Sequence, residues 1–362
     1  KGPRQLWTRD LGEGHSAVIA DGDRLYTMYS RGERETVVAL EAATGKTLWE
    51  HSYEAPTAGM NYEFGQGPHS TPIVVGNQLY TVGGTAKLHA LDKGTGKVIW
   101  FHDLWKEYKG NFEDRGYSSS PIAYKNTVIL TVGGAGQTLM AFNQKDGTVA
   151  WKKHDLMTSP SSHIVINLGG QDQLVAFLGK EIAGLDPNNG ELLWSHPHAT
   201  DYGLNITSPV WGEDNLLFVS SAYSGGSRVI RLTRKDGKTT PSEVWFHRRM
   251  RVHHGTAVRV GDYVYGSSGD FGPAFVVAVD VKTGNVAWQD RSFSKSNLLY
   301  ADGKLIILDE DGNLALATAS PAGLKVVSKV ALMKTRSWTA PTLVGTKLYV
   351  RDRRSITALD LS

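Results

Sequence analysis

The chain has 362 residues, a formal net charge of +3 at pH 7 and no cysteine, which excludes a disulfide framework, a thiolate nucleophile and a zinc-thiolate site. Its Lys and Arg are scattered among Asp and Glu rather than gathered in runs, so no nucleic-acid partner is implied. No apolar run is long enough to span a membrane, and the chain begins at Lys1 without an initiator Met; we expect that an export signal has been removed and that the protein is periplasmic or otherwise exported.

Taken in order, the chain is a series of near-copies of one motif. Gln5-Leu-Trp-Thr-Arg-Asp10 reads as a lone strand carrying Trp7, and Val38-Ala-Leu-Glu-Ala-Ala-Thr-Gly-Lys-Thr-Leu-Trp49 follows. Further copies end at Trp100, Trp151, Trp194 and Trp288, with a degenerate one at Trp245. These tryptophans and Trp7 are separated by 42, 51, 51, 43, 51 and 43 residues. The 40 glycines, the abundance of Val, Ile, Leu, Tyr and Trp, and the lack of long three-and-four apolar spacing predict short strands joined by tight turns. Each unit is expected to hold four antiparallel strands, the blade of a propeller. In the motif turn, Asp or Asn accepts backbone N–H groups further on while Gly takes the positive φ of a hairpin. The Trp four residues later supplies an apolar face for packing between neighbouring blades.

One more unit, Leu314-Ala-Leu-Ala to Val327, has lost its Asp and its Trp, and the last unit stops two residues after Thr357-Ala-Leu-Asp360. Its missing fourth strand is supplied by residues 5–10, an arrangement that removes exposed sheet edges. The count is then eight. The expected fold is an all-β, eight-bladed β-propeller occupying residues 1–362 as a single domain.

On these motifs the chain resembles the pyrroloquinoline-quinone (PQQ) type repeat family, and the resemblance runs over essentially the whole sequence. It implies one of two functions. Quinoprotein alcohol dehydrogenases bind PQQ with calcium or a lanthanide over an eight-bladed propeller, whereas propellers similar to outer-membrane protein assembly factor B (BamB) are non-catalytic. The dehydrogenase branch carries an adjacent cysteine pair and an acidic metal cage. Here there is no cysteine, and Glu63, Asp114 and Asp270 are the only acidic residues in plausible top-face loops, too few for a hard cation that takes six to eight oxygens. PQQ with a divalent metal is therefore disfavoured, and no cofactor is expected.

Ligands of a propeller gather where the loops leading into the first strands meet the channel. Aligned on the glycine turn that follows, those positions are His15, His69, Ser118, Pro160, Ile206, His254, Ser296 and Trp338, preceded by Gly14, Pro68, Tyr117, Ser159, Asn205, His253, Lys295 and Ser337. The candidate ligand-binding set is His15, His69, Tyr117, Asn205, His253, His254, Arg336 and Trp338. Of these, His15, His69 and His254 are candidate metal ligands, since converging imidazoles suit zinc, copper or nickel. The bland alternative is that these rings line a wet channel and bond to backbone carbonyls. His163, standing where other units have Pro, is read as structural.

Uneven loops at Tyr53 to Pro68, Leu104 to Gly116, Ser30 to Thr36, Gly269 to Phe275 and Lys334 to Trp338 are expected to individualise this face. They and their neighbours offer Tyr62, Phe64, Trp105, Tyr108, Phe112, Tyr223 and Phe271, with Arg115, Arg251 and Arg336 as partners for carboxylate or phosphate. The expected function is a non-catalytic binding or scaffold propeller that takes a protein partner or a small ligand such as a sugar on this face, as a monomer. The alternative is a quinoprotein-type or other metal-dependent oxidoreductase acting on alcohols or sugars at the channel mouth.

Overall fold

A computed structural model describes residues 2–63, 65–111 and 113–362. Among them the strands form eight four-stranded antiparallel sheets, and Leu104–Tyr108 is the one α-helix. Seven sheets take their strands in chain order. In the eighth the order is Arg4–Asp10, Ser355–Asp360, Lys347–Arg351, Thr342–Val344, so the first strand of the chain completes the last blade as the motif count predicts. We number the blades 1 to 7 along the chain and call this composite sheet blade 8.

The chain divides into two compact units. One holds Pro3–Asp155 and Thr335–Ser362, hence blades 8, 1, 2 and 3; the other holds Leu156–Lys334, hence blades 4 to 7. Within each unit the apolar side chains of facing blades form the core. Tyr80, Leu88 and Leu104 of blade 2, for example, meet Val128, Leu130 and Phe142 of blade 3 in one buried cluster.

The motif residues carry the duties expected of them. Asp92 Oδ1 accepts Thr95 N–H at 2.8 Å, and Asp280 Oδ1 accepts the N–H groups of Lys282 and Thr283 at 2.8 and 2.9 Å. Trp7, Trp49, Trp100, Trp245 and Trp288 each donate the indole N–H to a backbone oxygen of the following blade, of Ala42, Lys93, Gln144, Val281 and Ser320, at 2.7–3.0 Å. Under the rings of Trp7, Trp49, Trp100 and Trp245 lies the turn glycine of that blade. A Cβ built on Gly45, Gly147 or Gly284 would stand 2.6–2.7 Å from Trp7, Trp100 or Trp245. The motif glycine is thus fixed twice, by its positive φ and by the neighbour's indole.

Trp194 departs from this pattern for a local reason. Blade 5 joins its third and fourth strands, Gly226–Lys235 and Lys238–His247, through a plain two-residue hairpin with no Thr-Gly seat. The indole of Trp194 instead turns onto its own sheet and donates to Gln173 Oε1 at 2.7 Å. There Gly184 replaces the motif alanine, and a Cβ at that position would collide with the ring.

Candidate functional site

In the first unit the loops leading into blades 8, 1 and 2 are laced together by hydrogen bonds to backbone oxygens. His15 and Ser16 N–H donate to Pro68 O at 2.9 and 3.1 Å, and Thr339 Oγ1 donates to His15 O at 3.1 Å. This lacing brings three of the expected residues together: the rings of His15 and His69 stack at 5.6 Å, and His15 lies 5.3 Å from Trp338. Arg336 sits over Trp338 at 5.0 Å, a cation on the face of an indole. The His69 ring is only partly covered by its neighbours, yet the protein around it desolvates the charged form and lowers its pKa to about 4, against the opposing pull of Arg115 O at 3.0 Å from Nε2. It is a neutral, hydrogen-bonded ring at physiological pH.

Tyr117 is buried and donates to Thr131 O at 2.8 Å, within the core shared by blades 2 and 3. Beside these loops lies an open cleft of about 400 Å³ lined by Pro56, Ala58, Met60, Thr85, Lys87, Asp103, Trp105 and Lys106. Two segments expected as loops are regular: Ser30 and Thr36 belong to strands joined by Gly32 and Glu33, and Leu104–Tyr108 is a helix capped by Asp103. Phe64 and Phe112 lie outside the described residues.

The second unit holds its own rim. Tyr223, at φ 51°, donates or accepts across 2.6 Å to His253 Nε2, and His253 stands 4.8 Å from His254. Burial first, then Lys295, lowers the pKa of His253 to about 4. Tyr223 meets Tyr202 edge-on at 5.3 Å and Phe271 at 5.7 Å. Tyr202 and Phe271 are 62% and 79% exposed, the two most exposed large apolar side chains given for the described residues. Arg248 Nε donates to Ser224 O at 3.0 Å and Arg251 pairs with Asp270 at 3.1 Å, so two guanidinium groups flank the aromatics. Asn205 is buried; its side chain donates to Leu178 O at 2.6 Å and its backbone exchanges hydrogen bonds with Ser159. Tyr202 was missed by sequence reasoning, which sampled the positions just before the first strands.

Among the described residues no group of three or more His, Cys, Asp or Glu is placed to hold a metal ion. His198 Nε2 lies 2.6 Å from Ser221 Oγ, the spacing of a nucleophile and its base. However, Arg228 Nε donates to His198 Nδ1 at 3.0 Å, which fixes the proton on Nε2 and makes the serine an acceptor. Burial, Arg228 and His196 together lower the His198 pKa to about 3, so it stays a neutral structural donor.

Glu35 is a buried carboxylate that sequence reasoning did not single out. It accepts Tyr53 Oη–H at 2.9 Å and Gly84 N–H at 2.7 Å, and a Cβ on Gly83 would collide with it, so that glycine pair clears its space as well as forming a turn. Burial raises its pKa to about 7, opposed by the bonds from Tyr53 and Gly84 and by Lys87. Between about pH 4.5 and 7 the folded state keeps a proton that the unfolded chain releases. The resulting stability is full below that window and is lost as pH rises through it. Glu35→Gln removes the charge, its amide oxygen accepting Gly84 N–H while its NH2 donates to the Tyr53 hydroxyl, which turns that bond round. Its unfolding free energy should match the parent's near pH 4.5 and exceed it by up to about 3 kcal/mol at pH 8, measured by urea denaturation at each pH.

The family model described as outer membrane protein assembly factor BamB matches residues 2–60, 33–290 and 203–323. The chain belongs to the BamB family. Over 358 residues, 97% of this BamB-family chain and 78% of the relative, it is 23% identical to the outer membrane protein assembly factor BamB of Moranella endobia. A quinoprotein alcohol dehydrogenase of Pseudomonas putida, PedH, is 30% identical over 154 residues, 40% of this chain and 23% of the enzyme. The crystal structure of BamB from Moraxella catarrhalis matches with a TM-score of 0.69 at 16% identity, covering 99% of this chain and 98% of that one. That likeness is one of fold, the eight-bladed β-propeller.

Proposed function

We propose that this chain is a binding propeller that serves the assembly of outer membrane proteins, as the names of its full-length relatives describe for them, and that it does so as an exported monomer without a cofactor. The family match at 33–290 runs through the junction of the two units, which supports treating residues 1–362 as one functional domain. The observation that carries the reading is the exposed aromatic group Tyr202, Tyr223 and Phe271 with Arg248 and Arg251 beside it. Exposed aromatics flanked by arginine are the composition of protein interface anchors. A sugar could also stack on such a surface, but it would leave much of this aromatic patch uncovered.

A photo-crosslinker placed at Phe271 or Tyr202 in bacterial cells should trap a component of outer membrane protein assembly. Tyr202→Ala with Phe271→Ala should weaken that association at least 10-fold while leaving the thermal midpoint within about 1 °C, since truncating an interface anchor costs about 2 kcal/mol or more of binding and exposed residues add little to folding. Crosslinks only at control positions on the opposite end of the blades, or PQQ-dependent dye reduction with alcohols by the purified chain, would overturn the reading.

A further inference from the structure

Met157 is the exposed one among the chain's six methionines. Met28, Met140 and Met250 are fully buried, Met333 is 8% exposed and Met60 is partly covered, whereas Met157 is 46% exposed. It lies in the loop leading into the first strand of blade 4, Ile164–Leu168, and its O accepts Gly179 N–H at 2.9 Å from the turn between the second and third strands. The side chain runs between two glycines. A Cβ built on Gly179 or on Gly203 would stand 2.9 Å from Sδ in either case. Gly203 also takes a φ of 66°, but Gly179 lies outside the left-handed region, so what glycine supplies there is room for the thioether. An unbranched, apolar and polarisable group suits such a seat.

The seat supports an exposed aromatic. Gly203 closes a turn from Thr200, its N–H donating to Thr200 O at 3.2 Å, and that turn carries Tyr202. Asp201 N–H donates to Tyr223 O at 2.9 Å and Ser224 Oγ donates to Asp201 Oδ2 at 2.6 Å, with Tyr202 edge-on to Tyr223. The N–H groups of both flanking glycines are therefore committed, to Met157 O and to Thr200 O. An oxygen added to Sδ finds no donor in them.

We propose that Met157 is a site of sulfoxidation, and that its oxidation releases the turn from Thr200 to Gly203 and takes Tyr202 out of the aromatic group. A peroxide delivers one oxygen to an Sδ lone pair: the O–O bond breaks, an S–O bond forms, the sulfur gives up two electrons to the peroxide, and the other oxygen leaves as water. The product is polar and chiral where the thioether was apolar. Its oxygen gains hydrogen bonds by turning to water, and the side chain then leaves its seat against Gly203. Methionine sulfoxide reductases restore the thioether, so the change is reversible. Any effect on a partner rests on the reading of this surface given above; the release of the turn does not, and failure of the crosslinking experiment leaves it untouched.

The test treats the intact chain with hydrogen peroxide and follows each methionine by peptide mass mapping. Met157 should convert first, ahead of Met60 and of the four buried methionines. Amide hydrogen exchange at Asp201 and Gly203 should then speed up by about 10-fold, since both hydrogen bonds belong to the released turn, and should return to the parent rate after reduction by the two sulfoxide reductases. Met157→Leu keeps the volume and the apolar contact, and exchange at the same two amides should not respond to peroxide. Conversion of a buried methionine before Met157 would overturn the proposal. So would unchanged exchange at Asp201 and Gly203 with Met157 fully converted, or an equal rise in the peroxide-treated leucine variant, which would place the cause at another methionine. If the leucine variant does not fold, the parent decides alone, through the exchange rates before oxidation, after it and after reduction.

Discussion

A chain lacking residues 2–10 should fail to unfold cooperatively and should elute as aggregate on size exclusion, although every motif copy after Trp7 remains. The strand Arg4–Asp10 pairs along Ser355–Asp360, with Arg4 opposite Asp360 and Trp7 opposite Ala358. It adds the Arg4 to Asp360 ion pair at 2.8 Å, the Thr8 to Thr357 hydroxyl bond at 2.8 Å, and bonds from Arg9 Nη1 to Gly45 O and Thr47 Oγ1 at 2.8 Å. Without it, Trp7 no longer covers the Gly45 turn of blade 1, and Ser355–Asp360, whose Ile356, Ala358 and Leu359 are fully buried, becomes an open apolar edge. Such an edge recruits other chains, and losing an entire strand with its Trp approaches the 5–15 kcal/mol net stability of an ordinary domain, roughly stated. Moving residues 2–10 to follow Ser362 should restore cooperative unfolding, because blade 8 needs the strand and not its position in the chain. A truncated chain that unfolds with the parent's midpoint would show that blade 8 is complete without it.

The fold was legible because its signals are local. A turn that needs Asp and Gly at fixed offsets and an indole that needs a glycine seat one blade on are both written at constant spacing, so the count survives even where blade 7 has lost Asp and Trp. Blade 7 still offers Ser320 O to Trp288, since a backbone oxygen at a hairpin does not depend on side-chain identity. Trp194 shows the limit. Its spacing is in register, but the seat belongs to the next blade, and only the paired reading of Gly184 and the plain hairpin at Asp236 and Gly237 would have foretold the inward turn.

The candidate site was legible in part, for the same reason. The column of positions before the first strands found His15, His69 and Trp338, which the backbone lacing at Pro68 and Thr339 does bring together. The same column also collected Tyr117 and Asn205, whose side chains turn into the protein to bond Thr131 O and Leu178 O. Direction at a loop depends on φ and on the partner oxygen, neither of which spacing records. Glu35 and Arg351 were passed over although strand alternation puts both in line with core residues: in Lys347-Leu-Tyr-Val-Arg351 and Arg24-Leu-Tyr-Thr-Met28 the charge takes the methionine's place. A charged residue at a core register position is the sequence signal that would have found them.

Trp100→Ala should lower the unfolding free energy by about 3–5 kcal/mol, the cost of truncating a buried Trp, and Gly147→Ala should be destabilising through the same contact. Trp100 is 8% exposed, donates to Gln144 O at 2.8 Å, and packs near Tyr80 and Phe142 at ring separations of 5.7 and 6.4 Å. Gly147 sits beneath it at φ 74°, and a Cβ there would stand 2.7 Å from the indole. Gly147→Ala therefore carries two penalties, about 1–2 kcal/mol for a left-handed alanine and the displacement of Trp100. In the Trp100→Ala background the second penalty has no ring to act on. The double variant should then be more stable than the sum of the single changes by 1 kcal/mol or more, a coupling of the size found for residues in contact, about 0.5–3 kcal/mol. Denaturant unfolding of the four chains measures it. Strict additivity would mean that the turn glycine serves its own backbone alone, and that the indole and the turn of the next blade are not the joint that holds blade 2 to blade 3.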